Sequence, residues 1–246
     1  MVSTRHHPRD FPPPSTGKAS APSNHSDSAT NRWVHAPSTA IIIWLVVSVP
    51  IVVWDAGYVL LRPYSMPGNR LHSPIWIPYA LYGTIDHIYG WPAFNARNGF
   101  PAAQTVLNLV ECAGYIYYLW IVYRHGVSAS GGRGQRKAKK GGLMWMLKTE
   151  KVVSGRTGAT ALLVAYSASL ATLGKTVLYC LNEVFSGFDN IRHNDAITLI
   201  FLWIIPKWVS GLWIVFPGYN SYVLGAEIVA SLESAGPRQR VGRPRS

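Results

Sequence analysis

The chain has 246 residues, 48% of them hydrophobic and only 14% charged, and the charges collect between apolar runs instead of spreading over a soluble surface. That is a membrane composition, and the length accommodates about four spanning helices of roughly 20 residues in one domain. The net charge of +12 does not indicate nucleic acid, because Arg133, Arg136, Lys137, Lys139 and Lys140 sit in a Gly-rich run between two spans, where they suit a cytosolic loop that touches anionic lipid head groups.

Residues 1–36 are rich in Pro, Ser, His and Thr and contain no continuous apolar run, so a disordered tail is expected there. The first span is expected over 39–61, with Pro50 tolerated inside it and Asp55 in its second half. The stretch 62–100 is aromatic and interrupted by Pro and Gly; it predicts an interfacial cap with a short helix around Tyr79 to Tyr89, and Asp86 and His87 fall within it. A second span is expected over 101–123, a basic loop over 124–156, a third span over 157–181 and a fourth over 196–216. The last helix is expected to resume beyond Pro217 towards Ser231, with a basic tail over 232–246. Lys and Arg number three in 62–100, nine in 124–156 and one in 182–195, which places the basic loop and both termini in the cytosol. Cys112 and Cys180 both fall inside apolar spans and read as small core residues without metal-ligand spacing.

Polar side chains recur along these spans at helical spacing. Gln104, Asn108, Glu111 and Tyr115 fall on one face of the second span, and Thr172, Thr176, Tyr179 and Glu183 repeat that spacing on the third. Trp203, Ser210 and Trp213 share a face of the fourth, and Asp55, next to Trp54, completes a ring if the four helices pack as a bundle. A carboxylate near the bilayer centre costs at least about 2.5 kcal/mol on insertion scales, so a cluster of them marks a site. Asparagine, glutamine and threonine in such helices also serve as plain interhelical hydrogen-bond partners worth about 0.6 kcal/mol each.

A cavity lined by carboxylates and by indole and phenol rings suits a hydrophobic ligand that carries, or acquires, a positive charge. A buried carboxylic acid could protonate an alkene and leave a carbocation between those rings. No cofactor and no metal are expected.

The segments TVLYCLNEVFSGFDN at 176–190 and SGLWIVFPG at 210–218 resemble the emopamil-binding protein family of sterol Δ8-Δ7 isomerases. That family has a Tyr, a Glu and a Gly-Phe pair after its penultimate helix, matched by Tyr179, Glu183, Gly187 and Phe188. Its Leu-Trp-x-Val-x-Pro-Gly run is matched by Leu212 to Gly218, and WDAGYVLL at 54–61 and NLVECAGY at 108–115 look like its other two acid-bearing helices. The resemblance covers most of residues 39–231, the four-helix unit of the wider EXPERA superfamily. It departs from the isomerases at Ile51, where they have His, at Ser210, where they have Asn, and at Asp55, where they have Glu.

The resemblance implies an all-α, four-transmembrane-helix EXPERA-like bundle in the endoplasmic reticulum. It further implies an isomerase that shifts a sterol or terpenoid double bond, with Asp55, Glu111 and Glu183 as catalytic acids. Trp54, Asn108, Tyr115, Thr176, Tyr179, Ser210 and Trp213 would contact the substrate, Trp213 bracketing the cation. A non-catalytic sterol- or amphiphile-binding protein and a membrane terpenoid cyclase use the same groups and stay as alternatives. The expected partners are a sterol or hydrophobic amphiphilic ligand and membrane lipids, not nucleic acid; self-association as a homodimer is left open.

Overall fold

The structure, a computed structural model, describes residues 33–129, 142–148 and 150–235, and for residues 143, 148, 202–210 and 235 the backbone alone. The expected tail over 1–32, the cluster from Arg133 to Lys140 and the last residues of the basic tail lie outside the described residues.

The described chain is mostly helical. A short strand β1 (Val34–His35) leads into α1 (Thr39–Leu60), followed by the small cap helices α2 (Pro78–Ile85) and α3 (Trp91–Asn95). Helix α4 (Phe100–His125), strand β2 (Val127–Ser128), helix α5 (Gly142–Lys148) and strand β3 (Lys151–Ser154) come next. The chain then forms α6 (Gly155–Phe185), α7 (Ala196–Thr198), a wide π-helical stretch over Leu199–Ile204, and α8 (Ile205–Ala235).

Three of these helices, α1, α4 and α6, are long and apolar enough to cross a membrane. At about 1.5 Å per residue the 22 residues of α1 reach about 33 Å, enough for a hydrocarbon core of about 30 Å. Pro50 sits inside α1 without ending it. Helix α4 starts with Pro101 in its first turn, where a missing N–H costs nothing, and closes on Arg124, whose charge suits the carbonyl end. Helix α6 runs past the expected end near 181 to Phe185, and the chain then reverses through Gly187 and Phe188, both at positive φ (68° and 59°).

Two expectations are corrected here. The tail does not extend to residue 36: Val34 and His35 pair antiparallel with Ser154 and Val153 of β3, in a three-stranded sheet of order β1-β3-β2. His35 is fully buried, with Nδ1 2.9 Å from the Glu227 carboxylate of α8 and Nε2 2.9 Å from the Tyr118 hydroxyl of α4. Those two bonds and the ladder order a segment that looked unable to order itself. Secondly, the 124–156 loop is partly structured, since β2 and β3 pair within it at Val127–Val152 and Ser128–Lys151.

Packing divides the helices along their length. At the end near the sheet, Ile42, Leu45, Tyr118, Val122, Ala161, Leu162 and Leu224 form an apolar cluster. At the cap end Tyr58, Val59, Met66, Trp76 and Tyr79 form a second one. Tyr115 of the α4 stripe joins the first cluster, and Asp55, Asn108, Glu111, Thr172 and Lys175 line voids that border the two clusters.

Candidate functional site

Between the clusters lies a cavity of about 410 Å³, within the usual span of roughly 300–1,000 Å³ for small-molecule sites. Helix α1 contributes Trp54 and Asp55, α4 Gln104 and Asn108, α6 Lys175, Thr176 and Tyr179, and α8 Trp213; the cap closes it with Tyr79, Tyr82 and Tyr89. A smaller void of about 20 Å³ shares Val52, Asn108 and Trp213 with it and is also lined by Glu111, Tyr115 and Thr172.

Asp55 faces the main cavity, and its carboxyl accepts a hydrogen bond from the Tyr79 hydroxyl. Burial first, and then the Asp55 charge, push the Tyr79 phenol far above its ordinary value, so it remains an O–H donor. The Tyr79 ring stacks on Tyr58 at 3.8 Å and stands 5.2 Å from Trp54. Burial, followed by the Asp86 and Asp55 charges, likewise keeps the Tyr82 phenol protonated. Trp54 forms cavity wall, but its indole N–H is committed to the Ile75 carbonyl at 3.0 Å. That bond fixes the ring.

Glu111 stands one layer deeper, in the smaller void. Its Oε2 accepts from the Thr172 hydroxyl at 2.7 Å and from the Lys175 ammonium at 2.7 Å, and the Tyr115 hydroxyl lies 2.9 Å from that of Thr172. Lys175 also donates to the Asn108 side chain. The two charged side chains are 10% and 8% exposed, which makes this a buried ion pair bridging α4 and α6. Thr176 commits its hydroxyl proton to its own helix, donating to the Thr172 carbonyl at 2.8 Å.

Tyr179 fastens the cap to α6 by donating to Asp86 Oδ2 at 2.5 Å; the backbone N–H of Ile88 approaches the other oxygen of that carboxylate at 3.3 Å. Trp213 closes the opposite side, edge-on to Trp44 at 5.0 Å.

Not every expected residue gathers here. Glu183 is buried inside α6 at 1% exposure, but it lines neither cavity and accepts from the Asn190 side chain at 2.5 Å, bracing the turn after the helix. It stands two residues before the end of α6, where the turn carrying Asn190 folds back over it. Ser210 lies on α8 with its side chain outside the described residues, as does that of Trp203. Of the cysteines, Cys112 is buried, whereas Cys180 is exposed and borders the main cavity, so only the first is a core residue.

Two features escaped the sequence reading. Lys175 stands three residues after Thr172 in the middle of an apolar span, on the stripe already recognised, and was legible as an intramembrane cation. The tyrosine wall was not legible, because Tyr79, Tyr82 and Tyr89 belong to a Pro- and Gly-broken segment without periodicity.

Comparison with protein families, with curated proteins and with solved structures finds no match for this chain.

Proposed function

We propose that the protein is an intramembrane isomerase of the EXPERA type, shifting a double bond in a sterol or related terpenoid, with α8 crossing the membrane as a fourth span beside α1, α4 and α6. The carrying observation is that Asp55, held by the Tyr79 hydroxyl, meets a cavity walled by Trp54, Tyr82, Tyr89, Tyr179 and Trp213.

In its acid form Asp55 delivers its proton to one alkene carbon, and the positive charge develops on the other. Aromatic faces stabilise such a cation by about 0.5 to 2 kcal/mol each. The Asp55 carboxylate then removes a proton from the carbon beyond the cation. One C–H bond forms, one breaks, and the carboxyl returns to its starting state. Tyr79 donates to that carboxyl throughout and fixes its orientation. Glu111, engaged by Lys175 and Thr172, is fixed behind the main cavity, so the proton-handling role passes from Glu111 to Asp55. The same pairing makes a neutral terpenoid a better substrate than a permanent cation, since one of the two nearby carboxylates already has its counter-ion. Residence in the endoplasmic reticulum with both termini cytosolic belongs to this reading.

A second reading, ligand binding without catalysis, is favoured by the same ion pair, which leaves a single carboxyl on the main cavity. The test is conversion of a Δ8 sterol to its Δ7 isomer by the purified full chain in nanodiscs. Asp55→Asn should lower the rate by at least about 100-fold while sterol binding persists. Glu111→Gln should retain more activity than Asp55→Asn. A folded wild-type chain that binds the sterol and leaves its double bond in place would overturn the isomerase reading in favour of ligand binding.

A further inference from the structure

A second cavity, of about 490 Å³, lies on the other side of the cap, where α1 ends and α4 begins. Its apolar side is made by Leu60, Phe94 and Ala102, and its polar side by Arg62, Asn95 and Arg97. Among the described residues neither arginine forms an ion pair.

The Arg62 guanidinium is anchored by Nε to the Val59 carbonyl at 3.2 Å and by Nη1 to the Ile88 carbonyl at 3.3 Å, so it is held in place with Nη2 left over. Burial takes part of its hydration and depresses its pKa below the ordinary arginine value, although tyrosines and the more distant Asp55 act in the opposite sense. Arg97 is exposed, sits at φ 53°, and makes no side-chain hydrogen bond among the described residues. Two guanidiniums on one cavity without a carboxylate make it a site for an anion. Forked N–H groups match phosphate oxygens in particular.

Depth points to the source of that phosphate. Arg62 follows the end of α1 by two residues and Ala102 is the third residue of α4, so the cavity straddles two membrane-helix ends, at the level of lipid head groups. Trp91, 37% exposed, and Tyr64, with Arg70 4.9 Å above its ring, belong to the same cap segment and suit an interfacial belt. The mixed lining fits a ligand that is ionic at one end and apolar at the other.

We propose that this cavity binds the phosphate group of an anionic membrane lipid, Arg62 and Arg97 holding the phosphate oxygens while an acyl chain leaves over Leu60, Phe94 and Ala102. This inference rests on α1 and α4 crossing the bilayer and is independent of the chemistry at Asp55.

The test uses the full chain purified from nanodiscs of phosphatidylcholine mixed with phosphatidic acid, with retained lipid measured by native mass spectrometry. The wild type should retain phosphatidic acid over phosphatidylcholine, and Arg97→Gln should weaken that retention about tenfold. Arg97 is the informative variant, because Arg62→Gln also removes two bonds that hold the cap together. Inorganic phosphate added as competitor distinguishes the sources. Phosphatidic acid that stays bound identifies a lipid site. Displacement by inorganic phosphate keeps the phosphate site but overturns the assignment to lipid. Equal retention of the two lipids by the wild type, or unchanged retention by Arg97→Gln, overturns the proposal.

Discussion

Lys175 and Glu111 are worth more to this molecule together than either is alone. Each is almost wholly withdrawn from solvent, and each satisfies the other across the α4–α6 contact at 2.7 Å. Removing one partner of a buried pair strands the other and typically costs about 3–5 kcal/mol, whereas replacing both often costs little. Lys175→Met should therefore lower stability by that amount in a detergent unfolding titration. The double variant Lys175→Met/Glu111→Gln should recover most of the loss, and a double variant as unstable as the single one would mean that the pair is not the cause. Glu183 teaches the converse. A helical register predicts a shared face, but which of its side chains meet the cavity depends on what packs against each part of the helix, and at Glu183 that is the turn carrying Asn190.

Among the elements, the cap is assembled by close backbone approach. A Cβ on Gly90 would lie 2.1 Å from the Gly83 carbonyl oxygen, with backbone atoms on both sides of the contact. Neither segment can relieve that clash by turning a side chain. Gly90→Ala should destabilise the cap by about 1–3 kcal/mol. The expected signature is faster amide exchange over 78–95 than in the wild type, with α4 and α6 little changed. Exchange at the wild-type rate would show that the two glycines are not tightly apposed. The spanning elements were readable from sequence because an apolar run of fixed length and a period of 3.6 are local properties. The cap was readable only as an interruption. Its tyrosines are ordered by contacts with α1, and Thr84, Ile85 and His87 beside them by the segment after α6, both far away in sequence.

In the molecule as a whole, two apolar clusters enclose a polar layer, and the cap is fastened from the α6 side. Besides Tyr179–Asp86, the backbone N–H of His87 donates to the Asn190 carbonyl, and the Asn194 side chain donates to the Ile85 carbonyl. His193 Nε2 meets the Thr84 carbonyl at 2.8 Å while its ring stacks on His87 at 3.7 Å. Burial first, and then the neighbouring His193 charge, hold the His87 pKa below the ordinary histidine value, against the opposing pull of Asp86 and Asp189. A histidine with a lowered folded pKa binds fewer protons folded than unfolded, so stability rises with pH across that window. The contribution is intact above about pH 6.5 and declines as pH falls from there to the lower folded value. Solvent at the pair keeps it small. Thermal melts between about pH 8 and about pH 5 should show the wild type losing more stability than His87→Gln. Parallel curves would remove the histidine pair from the account.

The membrane class, the apolar spans of α1, α4 and α6 and the polar faces of α4 and α6 were determined by the sequence alone, because hydropathy and helical period depend only on near neighbours along the chain. Only the tertiary structure decided that Lys175 would neutralise Glu111, that Asp55 would meet the Tyr79 hydroxyl, that Glu183 would brace a turn outside the cavity, and that His35 would be drawn into the bundle by Tyr118 and Glu227. Each of these is a contact made only when the helices, the cap and the turns settle against one another. The energy of a buried charge or hydrogen bond depends on its partner in space, which local spacing does not encode.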